Sequence, residues 1–342
     1  MAWGRTNRLI IAAAERLGVD AAPVSEAAHT DFLMRLSPRG GGPSVIISKT
    51  RSPFLTQVAQ TLSNNKLVSR ERLAAHGVPI VECVMVDDDQ DPRAPRVAAF
   101  LARHGAVIVK PNWGNRARGL SGPHRTLDAV VRACAWAQDC DRDCEALVER
   151  YVPGTNLRVT VIGGRAVAAA EIQRPILEGG ARSFGEQLAA LNRDPRRARA
   201  PEDLLGLDVM PAGELIAPML EVHGLALSSA PPAGATVELY SEEREIIDRT
   251  DELHPEWGAM AERACSLLGV DVGGVDLRGP LAAFTRPPSA GAGVVLLEVN
   301  VLPALHLHAL PTRGAPRPVF EAFVAYCLSL PGAPPPCAVV GA

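Results

Sequence analysis

The sequence predicts an α+β fold rather than one doubly wound sheet. Two observations carry that reading. Strand-like apolar runs and amphipathic helical stretches are mixed along the chain, and the strands are joined by tight turns as well as by helical crossovers. Separately, no Gly-x-Gly-x-x-Gly dinucleotide fingerprint and no Gly-x-x-x-x-Gly-Lys-Ser/Thr loop occurs in the sequence, so any phosphate cradle here is of another kind.

Residues 7–18 have the period of an amphipathic helix that stops at Gly18. Arg39-Gly40-Gly41-Gly42-Pro43 is a turn-rich break, followed by a short strand at 44–48. Residues 55–62 and 65–76 read as helices. The second is capped by Asn64 or Asn65, stops at Gly77 and has Pro79 just beyond. A strand at 80–86 runs into the acidic turn 87–91. A helix at 96–103, a buried strand at 106–110, a glycine-bearing loop at 112–122 and a helix at 127–138 come next. Residues 146–151 form a strand, and 158–162 with 166–172 form a hairpin about Gly163-Gly164. The stretch 173–235 reads as irregular. After it come a helix at 257–268 ended by Gly269, core strands at 271–277 and 294–300, a closing helix at 317–328 and a Pro- and Gly-rich tail.

At 342 residues the chain has room for two or three small domains. A net charge of −3 gives no electrostatic reason to expect nucleic acid or an anionic membrane, and aromatic residues at 4% are too scarce for base-stacking platforms. The seven cysteines are odd in number, scattered and without a Cys-x-x-Cys, which suits a reduced cytoplasmic setting. No apolar run approaches the ~18–20 residues of a membrane span.

The chemistry concentrates in a few places. The apolar run 294–297 leads into Glu298-Val299-Asn300. On a strand, Glu298 and Asn300 point the same way, roughly 6–7 Å apart. Asp276 ends another apolar segment. Oxygen ligands closing hydrophobic strands are costly if unpaired and suit a hard cation such as Mg²⁺. Lys110 leaves a buried strand directly before Gly114-Asn115-Arg116-Ala117-Arg118-Gly119, a flexible cationic loop able to cradle phosphates. Lys66 opens a helix whose N-terminus already favours anions. Residues 147–154 could offer backbone groups to an adenine edge.

In order, Asn65-Lys66, Val109-Lys110-Pro111, the 114–119 loop, Glu149–Gly154, Gly274-Val275-Asp276 and Glu298-Val299-Asn300 resemble the ATP-grasp ligase pattern over about residues 45–330. Within that superfamily the likeness is greatest to the ATP-grasp part of cyanophycin synthetases. It is carried by Gly114-Asn115, Arg118-Gly119, Asn192–Arg197, His254-Pro255 and Pro311–Arg317. Nothing resembles the Mur-ligase-like half of those enzymes.

The resemblance implies an ATP-grasp fold of two α+β subdomains gripping ATP. The expected division is a preceding domain at 1–62, a central or lid subdomain at 63–145, a C-terminal subdomain at 146–330 and a flexible tail at 331–342. It implies that Lys66 and Lys110 hold the α- and β-phosphates, and that Gly114, Asn115, Arg118 and Gly119 belong to the loop closing over the γ-phosphate. Glu149, Arg150 and Val152 would frame adenine, and Asn156 would meet the ribose. Asp276, Glu298 and Asn300 would bind two Mg²⁺, with Mn²⁺ as a substitute. Arg158 and Arg174, with Arg118, would neutralise phosphate or an acyl phosphate.

The implied activity is ATP-dependent ligation of a carboxylate to an amine, on amino-acid or small peptide substrates, by a cytoplasmic protein with room for homo-oligomerisation. The alternatives are an ATP-binding partner protein without ligase activity, or a kinase. Three departures bear on this choice. Asn156 replaces the usual acidic residue, Ala117 a loop glycine, and Pro303-Ala304-Leu305-His306 a Pro-Gly-Leu-Arg run whose arginine touches substrate or phosphate in relatives.

Overall fold

A computed structural model describes residues 3–25, 30–114, 116–230, 232–289 and 292–330. Asn115 and the tail 331–342 of the sequence-based expectations lie outside the described residues.

The chain opens with α1 (Arg5–Arg16) and an antiparallel meander of β1 (Val19–Pro23), β2 (Met34–Pro38) and β3 (Val45–Ile47). Two short helices follow, α2 (Gln57–Asn64) and α3 (Lys66–Ala75). Each has a side-chain cap. Thr56 accepts from Ala59 N–H and Asn65 from Val68 N–H, meeting backbone donors that a helix start leaves free. β1 and β2 did not show in the sequence pattern. Val19-Asp20-Ala21-Ala22-Pro23 does not alternate in polarity, and only its pairing with β2 makes it a strand.

The second sheet is antiparallel in the order β4–β7–β5–β6. Its elements are β4 (Cys83–Val86), α4 (Pro95–His104), β5 (Val107–Pro111), β6 (Ser121–His124), α5 (Leu127–Cys140) and β7 (Ala146–Arg150). Val97, Phe100 and Leu101 of α4 and Val130, Ala133, Cys134 and Ala137 of α5 bury against Val107, Val109 and Val148. β7, the first strand of the expected 146–330 unit, is a central strand of this sheet.

The third sheet, of order β14–β9–β8–β15–β16, is also antiparallel. β8 (Thr155–Ile162) and β9 (Arg165–Gln173) form the expected hairpin. The stretch read as irregular holds β10 (Ile176–Glu178), α6 (Phe184–Asn192), β11 (Arg197–Ala198), β12 (Leu207–Asp208) and α7 (Ala217–Val222), and β13 (Thr236–Glu238) follows it directly. α6 begins at a capping box of Ser183 and Glu186, a local signal present in the sequence. The strands here are two or three residues long and exist by pairing alone. β14 (Glu245–Asp248), α8 (Pro255–Leu268), β15 (Val272–Gly279), α9 (Leu281–Phe284), β16 (Val295–Asn300), α10 (His306–Ala309) and α11 (Val319–Cys327) complete the described chain.

The two faces of this sheet differ. Leu157, Val159, Val275 and Leu277 turn towards α8, where Trp257, Ala261, Ala264 and Leu268 cover them. Ile162, Ala168 and Val272 lie on the opposite face, which meets α1 and α11. By strand alternation Arg158 and Asp276 belong to that second face. A bulge in β16 sets the partner side. Asp276 is opposite Glu298 and Leu277 is opposite Leu296, so Leu297 is the extra residue. Past the bulge, Val299 and Val301 join the α8 core, leaving Glu298 and Asn300 on the face of Asp276. Among the described residues, no helix is long and apolar enough to cross a membrane.

Candidate active site

The oxygens of β15 and β16 converge. Asp276 and Glu298 are direct cross-strand partners, as are Gly274 and Asn300. Asn300 Nδ2 donates to Asp276 Oδ2 at 3.0 Å and to Glu298 Oε1 at 3.3 Å. Arg158, opposite Asp276 on β8, grips that carboxylate with two nitrogens, one of them Nη2 at 2.7 Å from Oδ2. Gly274 allows this. A Cβ there would meet Arg158 Cδ at 3.0 Å and Pro303 Cβ at 3.3 Å.

The lysines come from the other side. Lys110, at the end of β5, is buried, with Nζ 2.9 Å from Glu149 Oε1 on β7 and 3.8 Å from Glu298 Oε2. Lys66 Nζ donates to the carbonyls of Asn112 (3.2 Å) and Gly114 (2.9 Å), at the root of the glycine loop. Burial lowers Lys66 to about 8, with Glu298 opposing the shift and the Lys110 charge adding to it. Burial would raise the Glu298 carboxyl, but Lys110, Lys66 and Arg158 bring it down to about 2.

Glu149 was expected at the adenine. Its side chain is buried between two cations, Arg70 Nη1 at 2.7 Å and Lys110. Their charges overcome the effect of burial and hold its carboxyl below the usual range. Arg70 also donates to the carbonyl of the bulged Leu297, by Nη2 at 2.8 Å and Nε at 3.2 Å. One buried guanidinium therefore binds the second sheet and the third. Sequence reasoning passed over Arg70, though it stands four residues after Lys66 on one helix, a spacing that puts both on one face.

Arg278 was missed too. It donates to Val152 O at 2.5 Å and to Asn156 Oδ1 at 2.8 Å, so the residues expected at the adenine and the ribose share one buried arginine. Asn112 is the third. Its Oδ1 accepts from Leu67 N–H and its Nδ2 donates to Glu145, fastening α3 to the loop that carries Gly114. Among the other expected residues, Arg150 is half-buried, Arg174 is paired with Glu243 at 3.4 Å, and Arg118 is exposed and bonds the Cys140 thiol. Gly119 is buried at a φ of +76°, where a Cβ would lie 2.7 Å from Pro111 Cγ.

Several known proteins are similar to this chain. The cyanophycin synthetase of Crocosphaera subtropica is 31% identical over 287 residues, which are 80% of this chain and 31% of that protein. That of Trichormus variabilis is 30% identical over 267 residues, covering 75% and 28%. The glutathione biosynthesis bifunctional protein of Mannheimia succiniciproducens is 28% identical over 276 residues, covering 76% and 34%. Among solved structures, a bifunctional glutathione synthetase from Pasteurella multocida superposes with a TM-score of 0.60 at 21% identity, over 96% of this chain and 44% of that one. The chain belongs to the ATP-grasp superfamily. It spans about a third of the length of these curated relatives. No protein-family model matches it.

Two departures of this ATP-grasp chain now have a physical description. Ala117 sits at φ 57°, beside Arg116 at 55°. Left-handed backbone costs a residue with a Cβ about 1 kcal/mol that glycine escapes. Ala117→Gly is expected to shift Tm by less than about 2 °C, because relief of strain and added chain entropy nearly cancel. It should speed hydrogen exchange of the loop amides, and unchanged exchange would contradict a strained loop. The second is His306. Residues 306–309 are a helical turn, which points the His306 and His308 rings apart. His306 Nε2 lies 3.0 Å from Arg5 Nη2, and His308 Nε2 lies 2.7 Å from Thr160 Oγ1. Burial, aided by neighbouring arginines, takes both to about 3, so they are neutral at pH 7.

Proposed function

We propose that the chain is an ATP-dependent carboxylate–amine ligase acting on amino-acid or small peptide substrates. The observation that supports it best is the Lys110 ammonium. It leaves the second sheet and stands 3.8 Å from the Glu298 carboxylate of the third. The cations proposed for phosphate and the oxygens proposed for metal thus converge.

The oxygen cluster suits Mg²⁺. Among the described residues no three His, Cys, Asp or Glu side chains cluster, so the third ligand is the amide of Asn300. Its Nδ2 stands between two carboxylates, and rotating the amide brings Oδ1 there instead, making three converging oxygens. Glu298 turns Oε1 to Asn300 and Oε2 to Lys110, a disposition able to serve two ions, with Mn²⁺ acceptable to the same ligands. When bound, such ions neutralise charge building on the phosphate oxygens.

In this reading Lys66 and Lys110 fix the α- and β-phosphates, the loop bearing Gly114, Asn115, Arg118 and Gly119 covers the γ-phosphate, and Glu149, Arg150, Val152 and Asn156 line the nucleoside side. A substrate carboxylate oxygen attacks the γ-phosphorus and the bond to the β-phosphate oxygen breaks, releasing ADP. The amine then attacks the acyl carbon, phosphate leaves and the amine loses a proton. Arg158 and Arg174 neutralise the phosphate, and positioning supplies most of the rate. The proposed setting is cytoplasmic, on the odd number and scattered spacing of the cysteines in the sequence. We keep the proposed division at 62 and 145, with β7 lending its strand to the sheet before that second boundary.

ADP release that requires both a carboxylate and an amine, with an amide product of matching mass, is the expected result. ADP with a phosphorylated product and no amide would establish the kinase. Tight ATP binding without ADP would establish a partner protein.

Lys66 gives a pH test. Its folded value lies below the unfolded one, so burying the charged form costs stability below about pH 8 and that cost fades as pH rises towards 10.5. Bound phosphates favour the ammonium. ATP binding near pH 8.5 is therefore expected to take up a proton, and affinity should fall as pH rises through about 8. Calorimetry in buffers of different ionisation enthalpy measures this uptake, which Lys66→Met should remove. Equal heats in all buffers would refute the role.

A further inference from the structure

Two positions along from Arg158 and Asp276, β8 and β15 carry a second cross-strand pair, Asn156 and Arg278. Strand alternation puts it on the same face, roughly 6–7 Å along from the Asp276 carboxylate. Arg278 is buried, and all three of its nitrogens are engaged. Nε donates to Val152 O, Nη1 donates to Asn156 Oδ1 at 2.8 Å, and Nη2 lies 3.5 Å from Glu238 Oε2.

Glu238 reaches this point from β13, where Ile176 of β10 is its partner in the ladder. Two residues on, the Tyr240 hydroxyl donates to Gly122 O of β6 at 3.2 Å. The segment 238–240 thus runs from Arg278 on the third sheet to the edge strand of the second. The Glu238 side chain is 18% exposed, and among the described residues its Oε1 has no hydrogen-bond partner. A carboxylate has about four acceptor sites, and here one long contact is in use.

The chemistry of this position selects a donor without charge. A phosphate brought to Glu238 would meet a like charge, and an apolar group would strip water from the free oxygen without replacing it. A vicinal diol offers two O–H donors to the two oxygens of one carboxylate. Asn156 is a poor substitute, because its oxygen already accepts from Arg278 and the rest of its amide is a donor. Arg278 also balances the Glu238 charge, so the pair adds no net charge beside a polyphosphate.

We propose that Glu238 accepts the 2′- and 3′-hydroxyls of bound ATP and makes the site selective for a ribonucleotide. The inference rests on the nucleotide-binding part of the ligase reading and adds to it a residue from β13.

Equilibrium titration of the full chain with ATP, 2′-deoxy-ATP and inosine triphosphate, each with Mg²⁺, tests this. The parent is expected to bind ATP about tenfold or more tighter than 2′-deoxy-ATP, which lacks one charge-assisted hydrogen bond. Glu238→Ala should bring that ratio to within about threefold, by weakening ATP far more than 2′-deoxy-ATP. A merely structural role would weaken both nucleotides alike and leave the ratio standing. Glu238→Gln keeps the shape and one acceptor and should fall between the two, and the Tm of each variant reports whether the fold is retained. Equal affinity of the parent for ATP and 2′-deoxy-ATP, or the parent's ratio kept in both variants, would overturn the role of Glu238 and leave ATP binding intact. So would a Glu238→Ala effect confined to the choice between ATP and inosine triphosphate, which would put the carboxylate at the base instead. A folded parent that binds none of the three would remove the ligase reading together with this one.

Discussion

Asp276→Asn is expected to reduce turnover on the order of 10²- to 10³-fold, while ATP binding weakens far less. Asp276 has two tasks. In the proposed site it is one of the three converging oxygen ligands, and it holds Arg158 with a two-pronged grip. The amide keeps the shape and one acceptor but removes the charge that a hard cation and the guanidinium both need. Arg158 would then turn towards Glu298, whose charge already acts on it. Single-turnover ADP formation with saturating ATP and Mg²⁺ reads the effect, and a thermal melt separates it from misfolding. Wild-type turnover in a folded Asp276→Asn protein would remove these residues from the metal assignment.

The second large effect is on stability. Glu149→Gln is expected to cost about 3–5 kcal/mol and to lower Tm by roughly 10 °C, because it leaves the buried Arg70 without a counter-charge and Lys110 with only Glu298 at 3.8 Å. Adding Arg70→Met should return part of the loss, as removing the orphaned charge is better than keeping it. The pH dependence follows from the same pair. Glu149 has a folded value below its ordinary 4.5, so its contribution is complete above that pH and is lost as pH falls through the depressed value. The variant should therefore show a flatter acid-unfolding profile below about pH 4.5. A Tm within about 2 °C of the parent would show that water or rearrangement already compensates these charges.

Much of the site could be read along the chain because its parts are local. Glu298 and Asn300 share a face by strand alternation, and Lys66 and Lys110 stand where a helix begins and a strand ends. The residues that were missed act over long separations. Arg70 meets Leu297 227 positions away, Arg278 meets Val152 across 126, and Arg5 meets His306 across 301. No window of sequence contains such a pair, and an arginine on a helix or strand looks like ordinary surface until its partner is placed. The bulge at Leu297 was hidden for a related reason, since it exists only relative to β15. The turn at 306–309 was hidden for another reason. Proline and alanine before Leu305 allow either an extended run or a turn, and packing of Leu307 and His308 against the third sheet decides for the turn.

Arg70 has one further consequence. Because a single guanidinium clasps the Leu297 carbonyl and the Glu149 carboxylate, the second and third sheets are tied together beside the lysines. The Ile80–Leu296 bridge and the Lys110–Glu298 pair join the two parts at further points, so the spacing between the lysines and the oxygens of β15 and β16 is built into the fold before any ligand arrives.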